Sequence, residues 1–375
     1  MKFLHTADWQ IGMKAAHVGD AGKRVREERL TTLRKLIEVA GQQGVEFILV
    51  AGDTFEDNGV DRIMIQKVAN ALESSNVPVY IIPGNHDPFV PGSIWEHPVW
   101  KSHESIHVLC DEEPVEVDDG VLYPCPVCDK HSRKDPTAWI RTPESAAVKV
   151  GVAHGTIEGL AMEEPEYPIP RLAATRAGLD YLALGHCHSY WAVPSADGVV
   201  RTAYSGTHEA TKFGESDSGN VLIVEIARTG AAPVITPVRV GSLEWRVIES
   251  DLRQPGDLAR LREKIEQIEG PAQTLIDLRV RGVFPAEDRG QLARLQEIVA
   301  TRFLWGRVDD TQVRPSPDDE NWVGNLPVGT IREAGVRLRE LADSNFTGER
   351  PEGVSPETAS RALMELYAIL TEVAQ

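Results

Sequence analysis

The sequence is poor in cysteine and has no long apolar run. Four cysteines are too few for a disulfide framework in a chain of 375 residues. The first ten residues lack the apolar segment of a secretory signal. The most apolar stretch, residues 47–51, is far too short to span a bilayer. We therefore expect a cytoplasmic protein with reduced thiols and no membrane partner.

One pair of cysteines has the spacing of metal ligands. Cys125 and Cys128 are separated by two residues, as in half of a zinc knuckle, and His131 lies nearby. A structural zinc site needs four ligands, and the sequence offers no second pair with this spacing. We expect a reduced structural turn here rather than a zinc site.

Positive charge is also scarce. The chain has 39 Lys and Arg against 57 Asp and Glu, a formal net charge of -18. This charge argues against broad, nonspecific attraction to nucleic acid, but a nuclease is not excluded, because two divalent ions would reverse the local sign. One basic cluster is either a phosphate contact or a solvated helix face. It comprises Lys23, Arg24, Arg26, Arg29, Arg34 and Lys35.

The first 240 residues alternate short apolar runs with helical patterns, which is typical of layered α/β folds. Helices are predicted at residues 25–42 and at about 62–75, with Gly44 as a stop signal for the first. Five apolar strands are predicted at residues 2–7, 46–51, 77–82, 148–153 and 181–184. Further β-structure, which would complete a second sheet, is predicted at residues 199–206, 220–226 and 234–240.

The composition changes after about residue 241. Residues 258–268 and 292–299 both begin with the letters LARL, and residues 276–281 between them alternate as a half-buried strand does. Two such copies are too few for a solenoid. A small α/β domain and a linker that begins at residue 313 are therefore expected. Two helices are predicted after the linker, at about 328–343 and 356–373, and the second has a wide apolar face that packs on its own domain or docks onto a partner coiled coil.

Polar side chains follow each of the five apolar strands at its C-terminal end. Ligands of α/β sheets gather at these ends, so the side chains could converge on one site. The donors are Asp8, Asp53, Asn85, His154, His186 and His188, with His86 alongside.

Carboxylate and imidazole donors together suit Mn²⁺, Fe²⁺ or Zn²⁺ better than Ca²⁺ or Mg²⁺ alone. Two ions about 3.5–4 Å apart need an anionic ligand between them, and Asp53 is the candidate for that bridge. Gly52 and Gly84 would let the backbone turn tightly beside the metals.

These motifs, in this order, resemble the signature of the calcineurin-like metallophosphoesterases, which is D-x-H, G-D, G-N-H-D/E, H and G-H-x-H. Within that superfamily the chain is most similar to the DNA double-strand-break repair nucleases, including the SbcD-like exonuclease subunits of bacteria. Local support comes from residues 5–9, 84–88, 153–156, 184–189, 204–206 and 212–215. The resemblance covers about residues 1–245, and it is weaker beyond them.

The resemblance implies a fold and a domain organisation. The fold would be a four-layer α/β/β/α sandwich over residues 1–241, the metallophosphoesterase (nuclease) domain. A small α/β capping domain would occupy residues 242–312. Residues 313–375 would form a linker and C-terminal helices that bind an SMC-like coiled-coil ATPase.

The resemblance also implies two metal sites that share Asp53. The first metal would be held by Asp8, Asp53 and His188. The second would be held by Asp53, Asn85, His154 and His186.

His86 would not be a ligand but would act as a proton donor or a phosphate stabiliser. Asp87 either orients His86 through a hydrogen bond or caps the turn that follows. The chain departs from the family at Gln10, where a metal-binding His is normal. Gln10 offers an amide oxygen or recruits a water, so the first site should bind its metal more weakly.

We therefore expect a DNA nuclease that uses two divalent ions, Mn²⁺ first, with Fe²⁺, Zn²⁺ or Mg²⁺ as alternatives. It would be an exonuclease, with endonuclease activity left open, and would act in DNA repair with an SMC-like ATPase. A homodimer is also left open. The alternatives are a small-molecule phosphodiesterase or phosphatase of the same superfamily, and a scaffold with a weakened first metal site.

Overall fold

A computed structural model of the chain describes residues 1–145, 147–159, 166–252, 256–284, 289–315 and 322–373. The chain divides into two compact units, Met1–Leu243 and Glu244–Gln375. Within the described residues, every helix is too short or too polar to cross a membrane.

The first unit contains twelve described strands and three α-helices. The strands are β1 (Lys2–Thr6), β2 (Phe47–Ala51), β3 (Val79–Ile82), β4 (Ile106–Val108), β5 (Val115–Val117), β6 (Gly120–Cys125), β7 (Val148–His154), β8 (Tyr181–Gly185), β9 (Trp191–Pro194), β10 (Val200–Tyr204), β11 (Asn220–Glu225) and β12 (Val234–Arg239). The helices are α1 (Gly22–Gln43), α2 (Arg62–Glu73) and α3 (Ala173–Ala177).

The twelve strands form two six-stranded sheets. The first has the order β12-β11-β1-β2-β3-β4 and the second the order β5-β6-β7-β8-β10-β9. Strands β1 to β4 pair in parallel in the first sheet, and β6, β7, β8 and β10 do so in the second. Parallel pairing places the C-terminal ends of neighbouring strands at one edge of each sheet.

Alternate residues of the central strands face different layers, as the pleat of a strand requires. Ile48 and Val50 of β2 pack with the apolar faces of α1 and α2. Phe47 and Leu49 pack instead with β7 and β8 of the second sheet. The outer face of the second sheet packs with α3, to which Ala173 contributes. The predicted α/β/β/α layering is therefore confirmed. The prediction that residues 220–226 and 234–240 complete the second sheet is wrong, because β11 pairs with β1 and β12 pairs with β11 in the first sheet.

The ends of α1 and α2 follow from local residues. Helix α1 ends at Gly44, whose φ of +61° is accessible to glycine without strain. Helix α2 begins after Asp61, whose side chain accepts a hydrogen bond of 2.8 Å from the backbone N–H of Met64.

The second unit is built on a three-stranded parallel sheet. Its elements are β13 (Glu244–Leu252), α4 (Asp257–Glu266), β14 (Thr274–Phe284), α5 (Arg289–Arg302), β15 (Trp305–Pro315), α6 (Thr330–Ala342) and α7 (Pro356–Val373). The two similar LARL segments are both helices, α4 and α5, and both pack on one core with β14.

The linker predicted from residue 313 begins too early. Val313 pairs with Gly282, so β15 continues along β14 to Pro315. The acidic part of the predicted linker, residues 318–320, lies outside the described residues. The apolar face predicted for the last helix is partly covered, because Leu363 is buried whereas Ile369 is 54% exposed.

Candidate metal centre

The strand ends bring the predicted donors together from both sheets. Asp8, Asp53 and Asn85 follow β1, β2 and β3 of the first sheet. His154 is the last residue of β7 in the second sheet, and His186 follows β8. The two layers meet directly, because the backbone N–H of His186 donates to both carboxylate oxygens of Asp8, at 3.0 and 3.1 Å.

The four residues predicted for the second metal form one cluster. Asn85 Oδ1 lies 2.9 Å from His154 Nε2 and 3.1 Å from His186 Nδ1. Asp53 Oδ2 lies 3.3 Å from the same nitrogen of His154. Ligand atoms of Asp8, Asp53 and His154 also lie within 4.8 Å of one another. The structure therefore brings together the predicted bridging carboxylate and the second ligand set.

The donor chemistry of this cluster fits a cation. His154 Nδ1 lies 2.8 Å from the carbonyl oxygen of Ala51, an acceptor, so the proton of a neutral ring sits on Nδ1. Nε2 then faces the oxygens of Asp53 and Asn85 with a lone pair. His186 Nε2 is buried, and no residue in the described part of the chain forms a hydrogen bond with it. The atoms Asp53 Oδ2, Asn85 Oδ1 and His154 Nε2 thus share a buried space, and a divalent ion would satisfy them.

The electrostatics also favour positive charge at this point. Burial opposes the charged form of His154, but Asp53, Asp8 and the carbonyl oxygen of Ala51 together outweigh burial and raise the His154 pKa to about 9. Burial likewise opposes the charge of Asp53, yet His154 holds the pKa of Asp53 below its usual value. Burial raises the pKa of Asp8 to about 6, although His154 and His188 oppose that shift. A pocket that stabilises an imidazolium between carboxylates would also stabilise a metal ion.

The remaining predicted ligands of the first metal, His188 and Gln10, lie on the same cleft as Asp53. His188 Nδ1 lies 2.7 Å from Glu215 Oε1. Gln10 is buried, and its backbone N–H donates to the carbonyl oxygen of Asp53 at 2.9 Å. The structure therefore places Gln10 beside the candidate bridging residue, where the family has a histidine.

His86 is held beside the bridging carboxylate. Its backbone N–H donates to Asp53 Oδ1 at 2.9 Å, and its ring Nδ1 lies 3.0 Å from the carbonyl oxygen of Glu56. The ring lines the cleft with Asp53 and His188. Because the carbonyl of Glu56 can only accept, Nδ1 carries a proton, and Nε2 is the nitrogen available for chemistry in the cleft.

Asp87 supports the site through the backbone. Its carboxylate accepts from the N–H of Gly84 at 2.7 Å and from the N–H of Phe55 at 2.9 Å. The suggested hydrogen bond from Asp87 to the ring of His86 is therefore corrected: that ring faces Glu56. The alternative that Asp87 caps the turn that follows it does not match these contacts either, because both N–H groups precede Asp87 in sequence; its carboxylate ties together the loops that follow β2 and β3.

Two glycines are required by the close approach of the backbone to the ligands. A Cβ atom on Gly52 would lie 2.4 Å from His154 Nδ1, and one on Gly84 would lie 2.1 Å from Asp53 Oδ1. The predicted role of both glycines is confirmed. The ligands themselves have unusual backbone: φ is +54° at Asp8, +52° at Asp53 and +101° at His186. Such strain persists only where the surrounding structure imposes it, and it clusters at functional sites.

The cleft lined by Asp53, His86, His186 and His188 has a volume of about 740 Å³. Within the described residues that line it, Lys212 is the one lysine or arginine, and it is exposed. The cleft therefore combines candidate metal ligands, the His86 ring and an exposed cation.

The basic cluster of α1 lies elsewhere, since none of its six residues lines this cleft. Arg29 is buried and donates to the carbonyl oxygens of Trp9, Glu209 and Asp8. Lys35 donates to the carbonyl oxygen of Val240 at 2.8 Å. The exposed members of the cluster thus correspond to the alternative of a solvated helix face. The hydrogen bonds of Arg29 hold the loop that carries Asp8.

The cysteine pair does not form part of a metal cluster within the described residues. Cys125 and Cys128 are both free thiols, the first buried and the second exposed. His131 hydrogen-bonds to Glu166 instead.

Sequence reasoning gave no role to four residues around the ligands. Glu215 and Lys212 belong to the family-like motif at residues 212–215, whereas Thr211 and Glu166 belong to no motif that the sequence analysis used. Glu166 Oε2 accepts from Asn85 Nδ2 at 3.3 Å, and Thr211 Oγ1 lies 3.2 Å from His188 Nδ1. The one sequence signal for a role of Glu215 was its position three residues after Lys212 in that motif.

Comparisons with known proteins agree with this geometry. The model of the calcineurin-like phosphoesterase family matches residues 1–190, slightly more than half of the chain. The uncharacterized metallophosphoesterase YhaO of Bacillus subtilis (strain 168) is 23% identical over 280 residues, which cover 71% of this chain and 67% of that protein.

Two solved structures are similar to this chain at lower sequence identity. TT1561 of Thermus thermophilus is 12% identical with a TM-score of 0.41, and the alignment covers 64% of this chain and 98% of that one. GAP50, the anchor in the inner membrane complex of Plasmodium, is 11% identical with a TM-score of 0.39, covering 64% and 84%. From the family match and the clustered ligands we conclude that this chain belongs to the calcineurin-like phosphoesterase family, whose members use divalent metal ions.

Proposed function

We propose that this phosphoesterase is a DNA nuclease that hydrolyses phosphodiester bonds with two divalent ions, Mn²⁺ first. The observation that carries the proposal is the position of His86. Its backbone is hydrogen-bonded to Asp53 and its ring lines the cleft. A proton donor thus lies beside the candidate bridging carboxylate, as the departure of an alkoxide from phosphorus requires.

The first ion would be held by Asp8, Asp53 and His188, with Gln10 beside them. The second would be held by Asp53, Asn85, His154 and His186. Ions at these positions would supply a nucleophile at neutral pH and Lewis-acid stabilisation of phosphate charge.

The contribution of His86 is the transfer of a proton. The carbonyl oxygen of Glu56 fixes the ring through Nδ1 at 3.0 Å. In the imidazolium form both ring nitrogens carry protons, and Nε2 would pass its proton to the departing oxygen, leaving a neutral ring protonated at Nδ1. General acid catalysis of this kind contributes about 10²–10⁴-fold in rate.

DNA is favoured over a small ester by two features. Lys212 places an exposed cation on the cleft, where it can contact a phosphate next to the scissile one. The chain also contains a second unit, Glu244–Gln375, which would not be needed to bind or hydrolyse a small ester. Exonuclease action in DNA repair is the form of nuclease activity that we propose.

The proposed partner is an SMC-like coiled-coil ATPase that docks on the C-terminal helices. Three exposed apolar side chains support this surface: Val328 at 89%, Ile331 at 52% and Ile369 at 54% exposure. Exposed apolar side chains on helices are typical of helix-docking surfaces.

A coiled-coil ATPase of this class, mixed with the purified chain, should co-elute with the wild type and not with an Ile331→Asp/Ile369→Asp variant. Light scattering on the chain alone would reveal a homodimer, which is the competing occupant of this surface.

A single set of assays tests the proposed activity. Purified protein is incubated with Mn²⁺ and single-stranded DNA, duplex DNA or bis-nitrophenyl phosphate, and His154→Ala is the matched control. Cleavage of DNA by the wild type and not by the variant supports the nuclease. Cleavage of the small ester alone indicates a small-molecule phosphodiesterase, and inertness toward all three substrates with metals bound indicates a scaffold.

A further inference from the structure

The ring of His188 is held by a carboxylate that lies outside the metal-binding motifs. Glu215 Oε1 lies 2.7 Å from His188 Nδ1, and Thr211 Oγ1 lies 3.2 Å from the same nitrogen. Glu215 and His188 are 27 residues apart in sequence. Both contacts are made to one nitrogen of the ring, so the other nitrogen has a distinct environment.

The carboxylate of Glu215 is itself fixed. Its side chain is only 5% exposed. Oε2 accepts from the backbone N–H of Thr211 at 2.8 Å, and Oε1 accepts from the hydroxyl of Thr211. The segment 211–215 is therefore a turn closed by its own side chain, and the φ of +90° at Gly214 makes this closure possible without strain.

These contacts decide which ring nitrogen carries the proton. An ionised carboxylate only accepts, and the hydroxyl of Thr211 donates its proton to Glu215 and so faces the ring as an acceptor. A neutral His188 ring must then be protonated at Nδ1, which leaves the lone pair on Nε2. Metal-bound histidines in proteins commonly have this arrangement, with a carboxylate on the nitrogen that does not bind the metal.

We propose that Glu215 is a positioning residue that fixes the tautomer and ring orientation of His188 for the first metal. The inference rests on the proposed assignment of His188 to that metal. Gln10 stands where the family has an imidazole, so His188 is the one imidazole predicted for the first site. The affinity of that site should consequently depend strongly on how well His188 is held.

Glu215→Gln is the variant that tests this role. The amide can turn its NH₂ group toward Nδ1, which would move the ring proton to Nε2. Calorimetric titration with Mn²⁺ should show one site about 10–100-fold weaker and the other unchanged. Glu38→Gln, on the exposed face of α1, is the matched control and should bind as the wild type does.

Nitrogen-15 NMR of histidine-labelled, metal-free wild type, recorded at a pH high enough for the His188 ring to be neutral, gives a second readout that needs no variant of Glu215. The His188 resonance, assigned with His188→Gln, should show Nδ1 protonated and Nε2 unprotonated. The reverse tautomer overturns the proposal. So does a folded Glu215→Gln variant with two unchanged affinities, and in that case the metal centre still stands. A wild type that binds no Mn²⁺ overturns the metal centre as well, so the two failures can be distinguished.

Discussion

Asn85 Oδ1 lies 2.9 Å from His154 Nε2, although 69 positions separate the two residues in the sequence. The amide of Asn85 has a fixed orientation, because its Nδ2 donates to Glu166 Oε2 at 3.3 Å. The oxygen of the amide therefore faces the histidines. This pair joins the end of β3 in one sheet to the end of β7 in the other, and the candidate metal centre lies where those ends meet.

Replacing His86 with alanine should remove the proton donor and leave the ligands in place. We expect kcat for DNA cleavage to fall by about 10²–10⁴-fold, with metal content unchanged, because the backbone N–H that contacts Asp53 remains. Steady-state kinetics and metal analysis of the same preparation measure both quantities. A variant that keeps both activity and metal would show that His86 has no such role.

Replacing Gln10 with histidine should restore an imidazole to the first site. Gln10 is buried next to Asp53, so the new ring would lie among the ligands. Mn²⁺ should bind the first site about tenfold more tightly or better, without loss of activity. Calorimetry of wild type and Gln10→His makes the comparison, with Gln10→Ala as the control for loss of the amide. Equal affinities in all three proteins would reject the idea of a weakened first site.

Lys212 should contact a DNA phosphate near the reacting one. The Lys212→Ala change should raise KM with kcat nearly unchanged, since an interaction made equally in the bound and transition states is lost. The slope of log affinity against log salt should also become shallower by about one unit. Lys23→Ala, on exposed α1 outside the cleft, is the matched control. Identical salt slopes for the two variants would count against a contact at Lys212.

The stability of the first unit should fall at acidic pH, and His5 should contribute. His5 is fully buried, and burial lowers its pKa from 6.5 to about 3. Between these values the unfolded chain binds a proton that the folded chain does not. Stability is therefore complete above pH 6.5 and is lost as the pH falls toward 3. From pH 7 to 5 the loss from His5 is about 2 kcal/mol.

Urea unfolding of the wild type and His5→Gln at pH 7 and 5 measures this contribution. Gln can keep a hydrogen bond to the hydroxyl of Tyr181, which lies 3.0 Å from His5 Nδ1. The variant should lose about 2 kcal/mol less than the wild type over this range. Equal losses in the two proteins would mean that His5 is not held neutral.

The layers and the grouping of the candidate ligands could be predicted from the sequence because they depend on local patterns. Apolar runs such as residues 47–51 indicate buried strands, and the polar residue that follows each run is therefore placed at the C-terminal end of a strand. Gly52 and Gly84 were predictable because each directly precedes a candidate ligand at the end of a strand. In the structure, a side chain at either position would collide with a candidate ligand.

Contacts between distant turns could not be predicted in this way. Nothing in the periodicity of residues 211–215 indicates that Glu215 reaches His188. Arg29 has the spacing of a solvated helix face, yet it is buried and donates a hydrogen bond to the carbonyl oxygen of Glu209, 180 positions away. The positive φ of Asp8 and Asp53 is likewise imposed by the assembled site, because side chains other than glycine rarely adopt it.

The central claim is that Asp53 lies between two metal ions, and anomalous diffraction from crystals soaked in Mn²⁺ tests it most directly. We predict two peaks about 3.5–4 Å apart, one on either side of the Asp53 carboxylate, with His154 and His186 at one of them. A single peak away from Asp53, or no peak beside His154 at saturating Mn²⁺, would contradict the two-metal account.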